Sequence, residues 1–259
     1  DDAAYAAASG CGLAGDDAIR HFLEDGEKAG ISPCRDFDVP FYRQTYADVP
    51  ASGMNSLLHY LLHGRAENRY PNTNALEQDI AVITGSGLFD LPLYARQARR
   101  HFLTPLEAIR HYLFLGESID LHPHKEFDRA FYRRHYDDVE GNAFAHYLRT
   151  GVWQSRVASA AKLKRLMDSA AAKKLFDAER YAEAAGLDPE EEEEAREHYF
   201  LHGERLRLSP CERFDAEFYL ENNPDLGRLG TLHQYHPFWH YAEHGEKEGR
   251  TAWFDAGST

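Results

Sequence analysis

The sequence predicts an all-α protein of about six two-helix repeats of ~38 residues, stacked as an α-solenoid or a compact helical array. Two motifs alternate along the chain. One is Phe-Asp with a tyrosine four positions after the aspartate; the other is a histidine, an aromatic residue and a glycine five positions after the histidine. Six of the 15 histidines fall in this second frame. It comprises His21, His59, His111, His146, His198 and His240 with Gly26, Gly64, Gly116, Gly151, Gly203 and Gly245.

The Phe-Asp motif predicts the start of the first helix of each repeat. Aspartate at an N-cap accepts a free backbone N–H and interacts favourably with the helix dipole. The phenylalanine before it and the tyrosine four residues after it have the spacing of a hydrophobic staple. Pro40 and Pro92 fit a first turn, where no N–H is needed. The predicted N-caps are Asp38, Asp90, Asp128, Asp177 and Asp215, and Asp1 to Tyr5 is a copy without the phenylalanine.

The histidine frame predicts the second helix of each repeat, and the glycine is expected to end it in a left-handed C′ conformation. A residue that recurs at one repeat position usually has one packing or hydrogen-bonding task, so we expect the histidines to be structural. Their imidazoles would bond a backbone group or a neighbouring N-cap carboxylate. The predicted N-caps of these helices are Asn55, Thr104, Asn142 and either Asp16 or Asp17.

The spacing of the repeats predicts two insertions. Aspartates at positions 1, 38, 90, 128, 177, 215 and 255 are separated by 37, 52, 38, 49, 38 and 40 residues. Residues 1–156 therefore hold repeats 1–4, with an insertion at 72–88 that could form half a helix and a loop. Residues 157–175 predict an extra alanine-rich, basic amphipathic helix, which would serve as a joint. Residues 176–259 hold repeats 5 and 6 and the start of a truncated seventh repeat at Phe254-Asp255.

Composition restricts the function classes. The net charge of −14 argues against nucleic-acid binding, because such a chain repels phosphate backbones. No apolar run is long enough for a membrane span. The first residues lack an initiator methionine and a signal peptide, so we expect a fragment of a longer polypeptide. Three cysteines do not all pair internally; reduced thiols are favoured over a Cys11–Cys34 bridge, and the redox compartment stays open.

Paired histidines and single arginines are the candidates for ligand contact. Histidines one turn apart share a helix face and could hold a divalent metal, although favourable placement of His at a helix C-terminus explains them better. Arginines five residues after the repeat glycine could contact an anionic glycan or an acidic partner, but capping or pairing with an acid is favoured. The weak metal candidates are His59, His63, His198, His202, His240 and His244, and the arginines are Arg69, Arg156 and Arg250.

Two further features have a structural and a functional interpretation. The basic helix around Lys162 to Lys174 could touch anionic lipid or a partner, but a solvated helix face is favoured. Trp153, Trp239 and Trp253 could stack on sugars, although tryptophan in a repeat more often belongs to the core. No phosphate loop, nucleophile elbow, CxxC or EF-hand pattern occurs, so neither an enzyme nor a cofactor is predicted.

The complete motif resembles short helical repeats of bacterial proteins. It consists of Phe-Asp-x-x-x-Tyr, Asn-Pro-Asp-Leu, His-Tyr and Gly-x-x-x-Gly-Arg, and the sixth repeat carries it most fully, from Phe214 to Arg250. Such repeats flank glycosyltransferase-like domains of surface-polysaccharide synthesis and occur in some large secreted proteins. The resemblance implies an accessory module, either cytoplasmic or associated with the cell surface. In repeats 1, 3 and 5 the arginine is replaced by Ile31, Leu121 and Leu208, which argues against one ligand shared by every repeat.

Three functions follow from these observations. The favoured one is a non-catalytic scaffold or binding module of a larger bacterial assembly, which recognises a protein partner or a surface glycan. The second is an accessory region of a surface-polysaccharide glycosyltransferase whose catalytic domain lies outside this chain, which rests on analogy. The third is a histidine-rich metal-binding protein.

Overall fold

The computed structural model describes residues 1–228 and 236–253, and over these residues the protein is all-α, as predicted. Sixteen α-helical segments and six π-helical turns occur there, and helix pairs pack together repeat by repeat. The predicted start of a seventh repeat, at Phe254-Asp255, lies outside the described residues.

The first helix of each repeat begins where the sequence predicts. In each of the six, the N-cap aspartate accepts the backbone N–H three residues later, at 2.8 to 3.1 Å. The phenylalanine before the cap lies 5.1 to 5.7 Å, between ring centroids, from the tyrosine of the same helix, which confirms the staple. These helices are Asp2–Ser9, Val39–Thr45, Leu91–Ala98, Arg129–His135, Ala178–Ala185 and Ala216–Asn222.

The second helix of each repeat continues into a π-helical turn. Asn55 and Thr104 cap these helices as predicted. Asp16 and Asp17 do not, because Ala14 is the N-cap and both aspartates lie in the first turn. The helices are Gly15–His21, Ser56–His59, Pro105–His111, Ala143–His146, Glu192–His198 and Pro237–His240. The π-turns are Phe22–Gly26, Tyr60–Gly64, Tyr112–Gly116, Tyr147–Gly151, Tyr199–Gly203 and Tyr241–Gly245.

The prediction of a left-handed conformation at the repeat glycine is wrong. None of the six frame glycines has a positive φ, and the chain continues through a further helical turn. The left-handed residue lies four positions later, where φ is 53° to 73°. The next residue then donates its N–H to the carbonyl of the frame glycine at 2.8 to 2.9 Å, which ends the turn. The left-handed residues are Gly30, Asn68, Asp120, Ser155, Arg207 and Gly249.

A backbone hydrogen bond closes repeats 2 to 6. The N–H of the N-cap aspartate donates to the carbonyl seven residues after the frame glycine, at 2.8 to 2.9 Å. In repeats 2, 3 and 5 that carbonyl belongs to a proline (Pro71, Pro123, Pro210), and in repeats 4 and 6 to an alanine (Ala158, Ala252). The two ends of each of these repeats are therefore held together.

Repeats of two kinds alternate along the chain. In repeats 1, 3 and 5 the first helix ends at a left-handed residue, Gly10, Arg99 or Gly186. In repeats 2 and 4 it ends at an extended tyrosine, Tyr46 or Tyr136, and in repeat 6 at Asn223. Asp48–Ser52 and Pro224–Arg228 form short additional helices after the first helix in repeats 2 and 6.

The two insertions are equivalent helices, each following an even-numbered repeat. The first, Thr73–Ser86, has 14 residues, so the predicted half-helix and loop is wrong. The second, Ala160–Lys173, also has 14 residues and is capped by Ser159, which confirms the predicted extra helix. Each begins two residues after the closing carbonyl, Pro71 or Ala158. Repeats 1 to 4 therefore form two successive blocks, each made of an odd-numbered repeat, an even-numbered repeat and an inserted helix.

The chain divides into two compact units. The first contains Asp1–Val82 and Glu140–Asn142, and the second contains Ile83–Val139 and Ala143–Thr259. Tyr5, Phe22, Phe37, Tyr42 and Val49 form the core of the first unit. The basic helix Ala160–Lys173, which the sequence suggested as a joint, lies within the second unit and buries Leu163, Leu166 and Ala170 in its core. Over the described residues, no helix has both the length and the apolar composition needed to cross a bilayer.

Candidate functional site

Each frame histidine bonds the tyrosine of the first helix in its own repeat. The distance between histidine Nδ1 and tyrosine Oη is 2.6 to 3.1 Å in all six repeats. The expected bond to a backbone group or an N-cap carboxylate is therefore wrong. The pairs are Tyr5–His21, Tyr42–His59, Tyr94–His111, Tyr132–His146, Tyr181–His198 and Tyr219–His240.

The frame glycine lies directly beneath this tyrosine hydroxyl. A Cβ placed on any of the six glycines would lie only 2.1 to 2.3 Å from the hydroxyl oxygen. Glycine is therefore needed for close approach of the tyrosine, and the π-turn presents it without a left-handed conformation. Tyrosine, histidine and glycine form one structural triad per repeat.

Burial favours the neutral forms of both groups in the triad. Removal from water lowers the pKa of His111, His146, His198 and His240. The same cause raises the pKa of Tyr42 to about 12. A neutral imidazole can accept a hydrogen bond from the tyrosine hydroxyl at Nδ1 while its own proton stays on Nε2. In repeat 2 the Nε2 atom of His59 lies 3.5 Å from Oδ2 of Asp48.

The three i, i+4 histidine pairs bring their rings into contact at interplanar angles of 51° to 62°. Their centroids lie 5.3 to 5.4 Å apart in His59–His63, His198–His202 and His240–His244. The first histidine of each pair already uses Nδ1 on tyrosine. In residues 1–228 and 236–253, no group of three or more His, Cys, Asp or Glu side chains is arranged to hold a metal ion.

Arg69, Arg156 and Arg250 each bind an aspartate of their own repeat. Arg156 donates through Nη1 and Nη2 to Asp138 at 2.7 and 2.6 Å, and its guanidinium lies 4.6 Å from the ring centroid of Tyr136. This hydrogen bond lowers the pKa of Asp138 to about 2. Arg69 pairs with Asp48 and Arg250 with Asp225 at 2.8 to 2.9 Å. The guanidinium groups are thus engaged within the fold, by acids that precede them.

Sequence reasoning missed a glutamate that joins the two repeats of a pair. Directly after the frame glycine, Glu27 accepts the N–H of Ser56 at 2.6 Å, and Glu117 accepts that of Ala143 at 2.7 Å. Each glutamate therefore caps the second helix of the following repeat. Repeats 2 and 4 have Arg65 and Val152 at this position, and an inserted helix follows each of them. Repeat 6 has Glu246 at this position, so aligning the repeats on the glycine would have shown a glutamate in repeats 1, 3, 5 and 6.

In repeat 5 the equivalent Glu204 has no such backbone partner among the described residues. The residue that corresponds to Ser56 and Ala143 is Pro237, which has no N–H. Oε2 of Glu204 instead lies 3.2 Å from Nδ1 of His236, without hydrogen-bond alignment, and both side chains are largely buried. Burial raises the pKa of Glu204 to about 8 and lowers that of His236 to about 3, so both are held neutral.

The tryptophans and cysteines occupy different environments. Trp153 is 76% exposed, Trp239 and Trp253 pack against the core of the second unit, and Trp239 also lines a cleft. Cys11, Cys34 and Cys211 form no disulfide.

Exposed apolar side chains cluster on the first compact unit. Ile19, Leu23, Leu58 and Leu61 line a groove of about 300 Å³ together with the buried rings of Tyr5 and Phe22. These four aliphatic side chains come from the second helices and π-turns of repeats 1 and 2.

No family model, curated protein or solved structure is significantly similar to this chain. The resemblance to bacterial polysaccharide-associated repeats, and the accessory and metal-binding functions considered with it, therefore stay predictions.

Proposed function

We propose that this chain is a non-catalytic helical-repeat module that binds a protein partner through the apolar groove of its first compact unit. The observation that carries the proposal is the exposure of Ile19, Leu23, Leu58 and Leu61, which is 44 to 57% around the groove of about 300 Å³. Clustered apolar side chains of this kind mark interaction surfaces more often than single exposed ones do.

The repeat itself supports this interpretation. The position two residues after the frame histidine holds Leu23 and Leu61 in repeats 1 and 2, where it is exposed. In the other four repeats the same position is buried, at Leu113, Leu148, Phe200 and Ala242. A position that is covered in four repeats and open in two provides apolar area that a partner can bury.

Charge around the groove favours a basic partner segment. Asp1 and Asp2 line the groove. Asp16, Asp17 and Glu24 are exposed on the helix and π-turn that carry Ile19 and Leu23. The partner that fits is an amphipathic helix with apolar residues on one face and Lys or Arg at its margin.

A protein is a better candidate than a glycan for this module. The arginines considered as glycan contacts already bind Asp48, Asp138 and Asp225. The side chains that are exposed at the groove, Ile19, Leu23, Leu58 and Leu61, are apolar.

Selection from a library of helical peptides tests the proposal. We expect enrichment of peptides with apolar residues at i, i+3, i+4 and i+7 and flanking Lys or Arg. Leu61→Asp should weaken their binding by about tenfold or more, because it places a charge against a desolvated apolar face. Leu62→Asp is the matched control, since Leu62 is 58% exposed and does not line the groove.

Binding should also weaken as salt is raised, because the flanking charges are exposed. Selected peptides that bind wild type and Leu61→Asp equally would contradict the proposal, and so would enrichment of acidic peptides.

A further inference from the structure

The second compact unit contains a cleft of about 750 Å³ beside the inserted helix Ala160–Lys173. Lys162, Arg165 and Leu166 line it from this helix, and Trp239 lines it from the second helix of repeat 6. The cleft therefore combines an aromatic ring with cationic side chains. It is separate in sequence and compact unit from the groove described above.

Lys162 is the unusual member of this cleft. Its exposure is only 8%, although the sequence predicted a solvated basic face for this helix. Its ammonium makes no hydrogen bond or ion pair with any residue of 1–228 or 236–253, and Glu126 acts on it only through charge at longer range. Removing most of a lysine side chain from water costs stability when its ammonium has no partner among the described residues, so the retention of Lys162 needs a reason.

The acids of the cleft are already engaged by other groups. Glu126 accepts from Arg165 at 2.9 Å, and Asp168 accepts from Lys164 at 3.2 Å. Glu243 accepts from Ser169 and lies 3.7 Å from Nζ of Lys173. Among the residues that the structure describes, Lys162 and the exposed Lys125 are therefore the cleft cations without an acidic partner, although the net charge of the chain is −14.

We propose that this cleft binds a small anionic ligand, with a phosphate or carboxylate group against Lys162 and a flat ring against Trp239. Lysine binds such anions as a point charge, and burial strengthens the interaction by excluding water. The half-buried indole offers an apolar face and one N–H donor.

Burial lowers the pKa of Lys162 to about 8, with Arg165 acting in the same direction and Glu126 opposing it. The lysine is thus largely protonated at pH 7, as anion binding requires.

Calorimetric titration with inorganic phosphate and with phenyl phosphate tests the proposal on the whole chain. We expect saturable binding of phenyl phosphate that is tighter than that of phosphate. Lys162→Met should weaken both by about tenfold or more, the loss expected of one charge-assisted hydrogen bond. Lys164→Met is the control on the same helix, because Lys164 is 77% exposed and should leave both affinities unchanged.

Two further measurements separate this role from a structural one. Lys162→Met should raise the midpoint of thermal unfolding, because it removes an unpaired buried charge while filling the same space. Trp239→Ala should abolish the advantage of phenyl phosphate over phosphate while phosphate still binds.

The proposal is overturned if neither anion binds saturably, or if Lys162→Met binds both as tightly as wild type. A Lys162→Met variant with lowered thermal stability would equally overturn it, since the lysine would then be a structural residue. None of these outcomes bears on the apolar groove, whose test uses peptides and Leu61.

Discussion

Substitution of Gly245 by alanine tests the structural triad of the sixth repeat. The added methyl would lie 2.3 Å from Oη of Tyr219, which is fully buried. Overpacking of this kind costs about 1–3 kcal/mol. Displacing the hydroxyl also breaks its 2.8 Å bond to His240, which costs about 1 kcal/mol. Alanine recovers about 1 kcal/mol of helix propensity relative to glycine. The net expected loss in free energy of unfolding is about 1–3 kcal/mol.

Tyr219→Phe removes the oxygen that clashes with the added methyl, so it tests whether that contact causes the loss of stability. Alone it should cost about 1–2 kcal/mol, because Nδ1 of His240 loses its partner. In the phenylalanine background, the methyl of Gly245→Ala meets only ring carbons of residues 219 and 241, at 3.2 Å. The double variant should therefore be about as stable as Tyr219→Phe alone. The coupling energy of the cycle is then about 2 kcal/mol.

The assay is urea unfolding of the four proteins followed by circular dichroism, with slopes compared to check that the same surface unfolds. Gly85→Ala is the control, because Gly85 is helical and an added Cβ meets nothing within 4 Å. That variant should be stabilised by up to about 1 kcal/mol. Additive losses in the cycle, or stabilisation by Gly245→Ala, would refute the role assigned to the glycine.

Three further predictions concern contacts that the repeats share. Glu27→Ala should lower the free energy of unfolding by about 2–3 kcal/mol, because the N–H of Ser56 and the amide of Asn55 lose a charged acceptor. Glu246→Ala, at the same repeat position but exposed, should stay within about 0.5 kcal/mol of wild type. Equal losses for the two variants in urea unfolding would contradict the capping role of Glu27. Arg156→Ala should lower the free energy of unfolding by about 2 kcal/mol or more and Arg69→Ala by less, since their side chains are 3% and 19% exposed. Equal losses in thermal unfolding, or a larger loss for Arg69→Ala, would contradict the role assigned to the buried arginine–aspartate pair. Because Glu204 has a raised pKa in the folded protein, its contribution to stability is complete below its usual pKa of 4.5 and is lost as pH rises towards 8. His236 offsets this loss only while it is protonated in the unfolded chain, so stability should fall between pH 6.5 and 8. Pro237→Ala supplies the missing N–H and should flatten this fall, and an unchanged slope would contradict the explanation.

The sequence was sufficient to predict features that depend on local spacing. Each N-cap aspartate and its hydrophobic staple lie within six residues, so the motif alone specifies them. The period also follows from the motif, since each copy marks a helix start. For the same reason, the all-α class could be predicted before any contact was known.

Features that join distant positions could not be read from one copy of the motif. Tyr219 and His240 are 21 residues apart, and Glu27 and Ser56 are 29 apart. The glycine was misassigned because glycine usually serves a left-handed turn, whereas here it admits a tyrosine hydroxyl from another helix. Lys162 was placed on the solvated face because helical periodicity does not show which face the rest of the unit covers.

The central claim is that the frame histidines are structural partners of tyrosine and are not ligands. Nuclear magnetic resonance of nitrogen-labelled imidazoles at pH 7, recorded with and without an equivalent of Zn²⁺, tests it most directly. We predict that His111, His146, His198 and His240 are neutral with an unprotonated Nδ1, that no frame histidine changes on adding zinc, and that His240 shifts in Tyr219→Phe. Zinc-dependent shifts at His59, His198 and His240 would contradict the account.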